Sequence, residues 1–402
     1  MRIAVVAEIC NPKSGARAPI ELAKALAEKN EVLFYATDSQ KDPDTQKDLE
    51  NHGVKTRLLS QNKTPFIGRW ITALNLTYTI KKDQPRLLST HCMLPFFIGC
   101  KLTGLPTVMT YHGTQFNILK EKLIPNSLGS YLITPLDKLL NTIIWLKSAL
   151  SILSAQKVIA ISQYTQQEVK KLYRRHALFI YQGTKLLPAT PDDNPQTTSC
   201  PLHQPVSTRF DAGQIQWTEQ TSKPKAKFTI LSVSRFTPYK GFHHLIEIFK
   251  QLSLKYGNLK LILAGSLGSK KYLNYLKKIS TPDVLFYTNI PDKQLATFYQ
   301  SCEAYATCDR YLFFGLPIME AASFGKPSLA LNFCAANEII KHGKTGFIAD
   351  NLEEFKNYLE QFIQKEEVRK KLGKNAKQFS QKFSWKNTAE EYLQAFKQIC
   401  LK

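Results

Sequence analysis

The chain has 402 residues, of which 43% are hydrophobic and 21% charged, enough for two ordinary globular domains with separate cores. Its formal net charge of +22 favours acidic partners or an anionic surface, such as nucleic acid, anionic lipid or anionic sugar polymers. Nucleic acid fits least, because the lysines are spread along the chain and the sequence has no recognition-helix, zinc-finger or RNA-binding motif.

Neither the start of the chain nor its most apolar stretch predicts a membrane segment. Residues 1–7 are apolar, but the run is too short for the core of a signal peptide, and Glu8 follows it directly. Residues 132–153 form the best candidate for a membrane span, yet a proline, an aspartate and two lysines interrupt them. We therefore expect a cytoplasmic protein.

Short apolar runs followed by helical patterns recur along the first half of the chain. Strands are predicted at residues 2–7, 32–36, 54–59, 107–111 and 157–161, and helices at 19–29 and 166–172. Alternating β and α elements of this kind predict an α/β fold with a parallel sheet covered on both faces. The same plan begins again at residue 228.

The composition divides the chain into four segments. We predict a first domain at 1–182, a linker with an insertion at 183–227, a second domain at 228–384 and a terminal helix at 385–402. The linker is rich in Pro, Thr, Ser and Gln and has little apolar periodicity, so we expect it to be mobile.

The eight cysteines are scattered through these segments. They form no CxxC pair and no cluster with histidines at zinc spacing. We expect buried free thiols rather than disulfides or a metal site.

The first motif that carries chemistry is Ser-Arg-Phe-Thr-Pro-Tyr-Lys-Gly at residues 234–241. It follows a predicted strand at 228–233 and puts Arg235 and Lys240 where a strand ends and a helix begins. Open α/β sheets bind ligands at this position. Two cations there can clamp a diphosphate.

The second motif is Phe-Phe-Gly-Leu-Pro at residues 313–317, followed by a predicted helix that carries Glu320. The free amides and the positive end of that helix can face an anion. The backbone of Phe314, Gly315 and Leu316 would supply such amides, and the nearby carboxylate can hold a ribose diol.

Together the two motifs resemble the donor site of the retaining, nucleotide-sugar-dependent glycosyltransferases of the GT-B fold, in glycosyltransferase family 4. The likeness continues in family order through residues 260–265, 294–304, 325–327 and 338–347, and more weakly through His91, 110–114 and 158–165. It implies two Rossmann-like domains whose parallel sheets face each other across a cleft. The first would be the acceptor side, the second would bind the nucleotide sugar, and the terminal helix would return to the first domain.

The resemblance also implies roles for single residues. Arg235 and Lys240 would stabilise the departing diphosphate, Glu320 would hold the ribose hydroxyls, and His112 would face the transferred sugar. Gly15, in the loop after the first strand, would admit donor or acceptor at the cleft, although a plain turn explains it nearly as well. Family members work without a metal ion, and the sequence has no Asp-x-Asp pair beside the site, so we expect metal independence and no cofactor beyond the donor.

One position departs from the family pattern of two glutamates separated by seven residues. Leu312 occupies the place of the first glutamate, which normally contacts the donor sugar. Three alternatives remain open: Asp309 or Arg310 reaches in from the neighbouring turn, the backbone amides of residues 314–316 suffice, or donor choice is altered.

The sequence therefore predicts a retaining glycosyltransferase. It would move a sugar from a nucleoside diphosphate sugar to a saccharide or lipid-linked saccharide acceptor in cell-envelope or polysaccharide synthesis. The alternatives are a GT-B binding or scaffold subunit that has lost catalysis and a sugar-nucleotide epimerase. Residues 119–155 interleave lysines with apolar side chains, which predicts either a buried pair of amphipathic helices or a surface that docks on anionic lipid at the inner face of a membrane.

Overall fold

The computed structural model describes residues 1–12, 17–38, 42–64, 67–113, 135–184 and 228–400. Within these ranges the first half of the chain forms a parallel sheet of seven strands. They are β1 (Arg2–Ile9), β2 (Glu31–Thr37), β3 (Val54–Leu59), β4 (Leu87–Thr90), β5 (Thr107–Tyr111), β6 (Lys157–Ala160) and β7 (Leu178–Phe179). Their order is β3-β2-β1-β4-β5-β6-β7. The chain therefore adds strands on one side of β1 first and then, from β4 onward, on its other side, so the order of connection reverses beside β1. Ligands of doubly wound folds bind at the carboxyl ends of the strands at such a reversal.

Helices cover both faces of this first sheet. They are α1 (Arg17–Ala27), α2 (Pro43–Asn51), α3 (Gly68–Asp83), α4 (Phe96–Lys101), α5 (Pro135–Ser154) and α6 (Gln163–Tyr173). Ile3 and Val5 of β1 pack in the core that includes α1, whereas Ala4 and Val6 pack in the core that includes α3 and α4. Because both faces are buried, the strand is a continuous apolar run and not an alternating one.

The second half repeats the plan around a six-stranded sheet of the described residues. Its strands are β8 (Phe228–Val233), β9 (Leu259–Gly265), β10 (Val284–Thr288), β11 (Ala304–Thr307), β12 (Ser328–Leu331) and β13 (Gly346–Ala349), in the order β10-β9-β8-β11-β12-β13. Its helices are α7 (Phe242–Tyr256), α8 (Lys270–Ile279), α9 (Asp292–Ser301), α10 (Leu316–Ser323), α11 (Ala336–Ile339), α12 (Leu352–Gln364) and α13 (Glu366–Ser380). All six residues of β8 are buried.

The last helix, α14 (Trp385–Cys400), leaves the second half and packs on the first. Tyr392 and Phe396 lie in the same core as Ile3 and Val5, and the Tyr392 hydroxyl is 3.0 Å from Thr110 Oγ1. Where the chain returns, the backbone N–H of Thr184 donates to the Phe383 carbonyl at 2.7 Å. The described part of the terminal helix is thus part of the core of the first sheet.

The strands and helices predicted in the first half are all present, although β4, β7 and helices α2 to α4 were not predicted, and the largest shift in a predicted boundary is at α6. That helix begins at Gln163, three residues before the predicted start, because Ser162 and Thr165 form a capping box. The Thr165 N–H donates to Ser162 Oγ at 3.1 Å, and the Ser162 N–H donates to Thr165 Oγ1 at 2.9 Å. The predicted linker lies outside the described residues except for 183–184, and the four segment boundaries stay predictions.

Two further expectations concern the cysteines and membrane spans. Among the described residues the cysteines are free, and Cys10, Cys92, Cys100, Cys302 and Cys308 are buried, as expected, whereas Cys334 is half-buried and Cys400 exposed. Within the same residues no helix combines the length and apolar character needed to cross a bilayer.

Candidate functional site

A cavity of about 640 Å³ opens between the two halves of the chain. The first half contributes Arg17, His112 and Gly113 to its wall, and the second half contributes residues that follow β8, β9, β10 and β11. The carboxyl ends of the central strands therefore meet at this cavity, which is the expected place for a ligand of such folds.

The two predicted cations lie in its wall just after β8. Arg235 follows the strand, and Lys240 ends a short 3₁₀ turn, Pro238–Lys240, before α7. A glycine at the end of β9 permits this packing, because a Cβ on Gly265 would lie 1.8 Å from the Ser234 carbonyl oxygen. Lys240 Nζ donates to Asp309 Oδ2 at 2.6 Å. The structure thus brings both cations to one site. It also pairs Lys240 with the Asp309 carboxylate, a contact that the sequence did not predict.

The second motif also reaches the cavity. Phe314, Gly315 and Leu316 line it where α10 begins, and Gly315 precedes the helix with a φ of 91°, a conformation that favours glycine. The unpaired amides of a helix start make this end attractive to an anion. Groups that can attract an anion therefore come from two separate segments of the second half.

Glu320, on α10, is nearly buried, with 4% of its side chain exposed. Tyr299 Oη donates to its Oε2 at 2.7 Å, and Arg17 Nη1 donates to its Oε1 at 3.1 Å. The pKa of Tyr299 is raised well above its ordinary value, first by burial and then by the Glu320 carboxylate, so the hydroxyl stays a donor. The carboxylate is consequently held on both oxygens.

Arg17 is a residue of the site that the sequence reasoning missed. Besides Glu320 it contacts Asp292, the first residue of α9, with 2.5 Å between Nη2 and Oδ1. Burial lowers the pKa of Arg17, but the attraction of Glu320 and Asp292 outweighs it and raises the pKa above the ordinary value. The sequence offered one weak indication that Arg17 belongs to the site. It stands two residues after Gly15, the glycine expected at the cleft.

His112 lines the cavity at the end of β5 with both ring nitrogens in use. Its Nε2 is 3.0 Å from His91 Nδ1, and its Nδ1 is 3.3 Å from Gln182 Nε2. Burial lowers the pKa of His112 to about 4, and burial together with His112 lowers the pKa of His91 well below its usual value. Both rings are therefore neutral near pH 7. With the amide orientation assigned to Gln182, the His112 proton is on Nε2 and points to His91.

At Gly113 the second half packs directly against the backbone of the first. A Cβ at Gly113 would lie 2.4 Å from the Phe313 ring. Only a residue without a side chain fits beside this ring, and Phe313 directly precedes the cavity residue Phe314.

Leu312, which stands where the family pattern has its first glutamate, lies at the cavity. Leu312 is buried and lines the cavity, Asp309 also lines it, and the Arg310 guanidinium lies 4.6 Å from the Phe333 ring centroid. Of the two neighbouring side chains considered, Asp309 lines the cavity and Arg310 is not among its described lining residues. Its Oδ1 accepts the Tyr311 N–H at 2.9 Å, and its Oδ2 holds Lys240.

Two further predictions concern Gly15 and the absence of a metal ion. Gly15 lies outside the described residues, although Pro12 and Arg17 on either side of it line the cavity. Across the described ranges no group of three or more His, Cys, Asp or Glu side chains could hold a metal ion. Metal independence stays a prediction.

Comparison with known proteins identifies the family. Residues 16–184 match the model described as glycosyltransferase family 4, and residues 214–379 match the model described as glycosyl transferases group 1. The chain is a GT-B glycosyltransferase of the family 4 type. The two matches fall on the two sheets, and the predicted family and fold are confirmed.

Individual relatives of this glycosyltransferase are distant. An uncharacterised glycosyltransferase of Methanocaldococcus jannaschii is 24% identical over 312 residues, 76% of this chain and 73% of that protein. The capsular polysaccharide biosynthesis glycosyltransferase CapM of Staphylococcus aureus is 27% identical over 175 residues, 41% of this chain and 46% of that protein. The crystal structure of Anabaena Alr3699/HepE in complex with UDP and glucose has a TM-score of 0.73 and 19% identity, covering 99% of this chain and 100% of that one.

Proposed function

We propose that the protein transfers a sugar from a nucleoside diphosphate sugar to a saccharide or lipid-linked saccharide acceptor with retention at the anomeric carbon. The observation that carries the proposal is the cavity that joins Arg235, Lys240 and Glu320 at the carboxyl ends of the second sheet. Two cations and a buried carboxylate are the groups that a diphosphate and a ribose diol require.

The proposed chemistry assigns each group a task. As the glycosidic bond breaks, negative charge grows on the leaving diphosphate, and Arg235, Lys240 and the amides at the start of α10 stabilise it. Fixed donors aimed at developing charge contribute several kcal/mol in enzymes, about 2.7–4 for one oxyanion-hole donor. His112, neutral at pH 7, would contact the transferred sugar without adding a positive charge, and any hydrogen bond to the sugar would have to replace its bond to His91 or to Gln182.

Relatives support the class of donor and acceptor. The HepE structure contains UDP and glucose, and CapM is named for capsular polysaccharide synthesis. By analogy we place this protein in polysaccharide or cell-envelope synthesis, with a nucleotide sugar as donor and no metal ion. Its site would work on the cytoplasmic side, where such donors are made.

A donor panel tests the proposal. Purified protein is incubated with UDP-, GDP- and ADP-sugars and with saccharide and lipid-linked acceptors, with and without EDTA. We expect nucleoside diphosphate release with one donor class, unchanged by EDTA, and a product of retained anomeric configuration by NMR. Absence of both binding and turnover with every donor would remove the enzyme proposal, and loss of activity in EDTA would remove metal independence.

Leu312 supports a second candidate, a GT-B subunit that binds donor but has lost catalysis. A leucine cannot accept hydrogen bonds from a donor sugar, so binding of the nucleotide part could survive without transfer. Nucleotide binding without turnover, even with cell extract as the source of acceptors, would favour this candidate. Restoring the family glutamate with Leu312→Glu would then be expected to raise activity.

We also propose that the protein attaches to an anionic membrane surface. The part of the predicted docking segment that is described, α5, exposes a row of apolar side chains at helical spacing: Ile143, Leu146, Leu150 and Leu153, each at least 40% exposed. A second exposed row, on α3, consists of Trp70, Leu74 and Tyr78. Residues 119–134 of the predicted segment lie outside the described residues. Apolar burial and the charge of +22 would act together in such docking.

A further inference from the structure

Arg17 crosses the cavity from the first half of the chain to two carboxylates of the second. It is the first residue of α1, and its two Nη atoms contact Glu320 Oε1 at 3.1 Å and Asp292 Oδ1 at 2.5 Å. All three side chains line the cavity. One guanidinium thereby joins the starts of α1 and α9 to the carboxylate on α10.

The contact with Arg17 gives Glu320 a positively charged partner, which the described residues of the second half do not provide. In the described part of the chain, the Glu320 carboxylate has one other hydrogen-bond donor, the neutral Tyr299 hydroxyl. A buried ionised carboxylate without a cationic partner is strongly unfavourable. Arg17 therefore gives the Glu320 carboxylate a cationic partner from across the cleft.

Arg17 and Tyr299 also fix how the carboxylate is turned. They hold different oxygens, Arg17 on Oε1 and Tyr299 on Oε2. Each carboxylate oxygen has about two acceptor sites, so each can still accept one further hydrogen bond. The result is an acceptor preorganised for a pair of neighbouring hydroxyls.

The contact of Arg17 Nη2 with Asp292 holds the guanidinium in place against Glu320. A planar guanidinium can bond two carboxylates at once, whereas a lysine ammonium offers only a point charge on a flexible stem. With 18% of its side chain exposed and both arms engaged, Arg17 has little freedom to leave Glu320.

Building on the function proposed above, we propose that Arg17 is a positioning residue of the donor site, which holds the Glu320 carboxylate ready to accept the ribose hydroxyls of a nucleoside diphosphate. Arg17 and Glu320 belong to opposite halves of the chain. The ribose subsite is therefore complete only when the halves are closed on each other, so ribose binding and closure are coupled through this ion pair.

A purely structural contact between the halves provides the matched control. The two carboxylate oxygens of Glu338 accept the N–H groups of Gln163 and Tyr164 at the start of α6, both at 2.8 Å. Glu338 is not among the described residues that line the cavity. Glu338→Gln thus weakens a contact between the halves without altering the ribose subsite.

Titration calorimetry with paired nucleotides tests the proposal. UDP, GDP and ADP are each compared with their 2′,3′-dideoxy counterparts, and the ratio of the two dissociation constants reports the contribution of the ribose hydroxyls. We expect the wild type to prefer the ribonucleotide by at least about tenfold, the effect of losing hydrogen bonds to a charged group. Arg17→Met should reduce the ratio to within about threefold of unity. Arg17→Lys should restore part of it, and Glu338→Gln should leave it unchanged.

The outcomes separate this inference from the proposed function. Absence of nucleotide binding by the wild type would overturn both. Binding without preference for the ribonucleotide would overturn the ribose role of Glu320 and, with it, that of Arg17. A wild-type preference that persists in Arg17→Met, or a loss of affinity for both nucleotides alike, would overturn only the role of Arg17. If thermal unfolding shows that Arg17→Met does not fold, Arg17→Lys and Asp292→Asn supply the same comparison, each with a reduced ratio expected.

Discussion

Lys240 Nζ lies 2.6 Å from Asp309 Oδ2, and both side chains line the cavity between the halves. The Asp309 side chain is 5% exposed and that of Lys240 is 19% exposed, so water screens the pair only weakly. A carboxylate in such a place is costly unless a cation accompanies it. The lysine proposed for the donor diphosphate is thus also the charge partner of a buried aspartate.

This double role predicts that Lys240→Ala destabilises the fold. Asp309 would be left in a nearly buried place without its cationic partner, at a cost of about 2 kcal/mol. Adding Asp309→Asn should recover most of that loss, because the unpaired charge is removed. Urea unfolding of the two variants and the wild type measures the difference, and a single variant as stable as the wild type would contradict the pairing.

The effect on transfer should be separable from the effect on stability. Arg235→Ala and Lys240→Ala each remove a cation from the proposed diphosphate site, and we expect transfer to slow about 100-fold or more. Lys240→Ala with Asp309→Asn should stay slow although its stability recovers. Steady-state kinetics with the donor found in the panel measures this, with Lys255→Ala, at an exposed ion pair on α7, as the control. Wild-type rates in both single variants would remove the proposed mechanism.

Glu320→Gln should act mainly on nucleotide binding. The amide has nearly the shape of the carboxylate, but one of its two ends becomes a donor and cannot accept from Arg17, Tyr299 or a ribose hydroxyl. We expect the dissociation constant for the nucleoside diphosphate to rise about tenfold or more. Tyr299→Phe removes one partner and keeps the charge, so its effect should be smaller. Calorimetry decides, and equal affinities for Glu320→Gln and wild type would contradict the ribose role.

The strands, the helix starts and the two cations of the site could be predicted from the sequence, because each depends on residues that are close together in the chain. Strand β8 is buried on both faces and is therefore a continuous apolar run, and the segment after it carries Arg235 and Lys240 within six residues. Glu320 was found in the same way, since its helix follows a glycine and has a proline in its first turn, and both mark a helix start.

Contacts across the cavity could not be read in this way. Arg17 and Asp292 are 275 residues apart, and no local pattern links them. Their meeting depends on how the two halves dock, which in turn depends on contacts such as the Phe313 ring on Gly113. The choice between Asp309 and Arg310 likewise needed the path of the turn after β11.

The neutral histidines predict a loss of stability in mild acid. The folded pKa of His112 is about 4, below the value of about 6.5 in an unfolded chain. Between these values the unfolded chain binds a proton that the folded protein does not, so stability is full above pH 6.5 and falls toward pH 4. The slope is at most about 1.4 kcal/mol per pH unit for each such histidine. Urea unfolding at several pH values should show a shallower slope for His112→Gln than for the wild type or the exposed control His52→Gln.

The proposed membrane surface predicts salt-sensitive binding to anionic vesicles. Lysines attract anionic lipid only within about 10 Å at 0.1 M salt, while the exposed row on α5 adds apolar burial at the surface. Leu146→Ser with Leu150→Ser should reduce sedimentation with anionic vesicles and leave folding nearly unchanged, because both side chains are 50% exposed. Leu254→Ser is the matched control, since that leucine is 91% exposed on α7 of the other half. Equal pelleting with neutral vesicles, or binding that persists in high salt, would count against electrostatic docking and favour an acceptor that is not in a membrane.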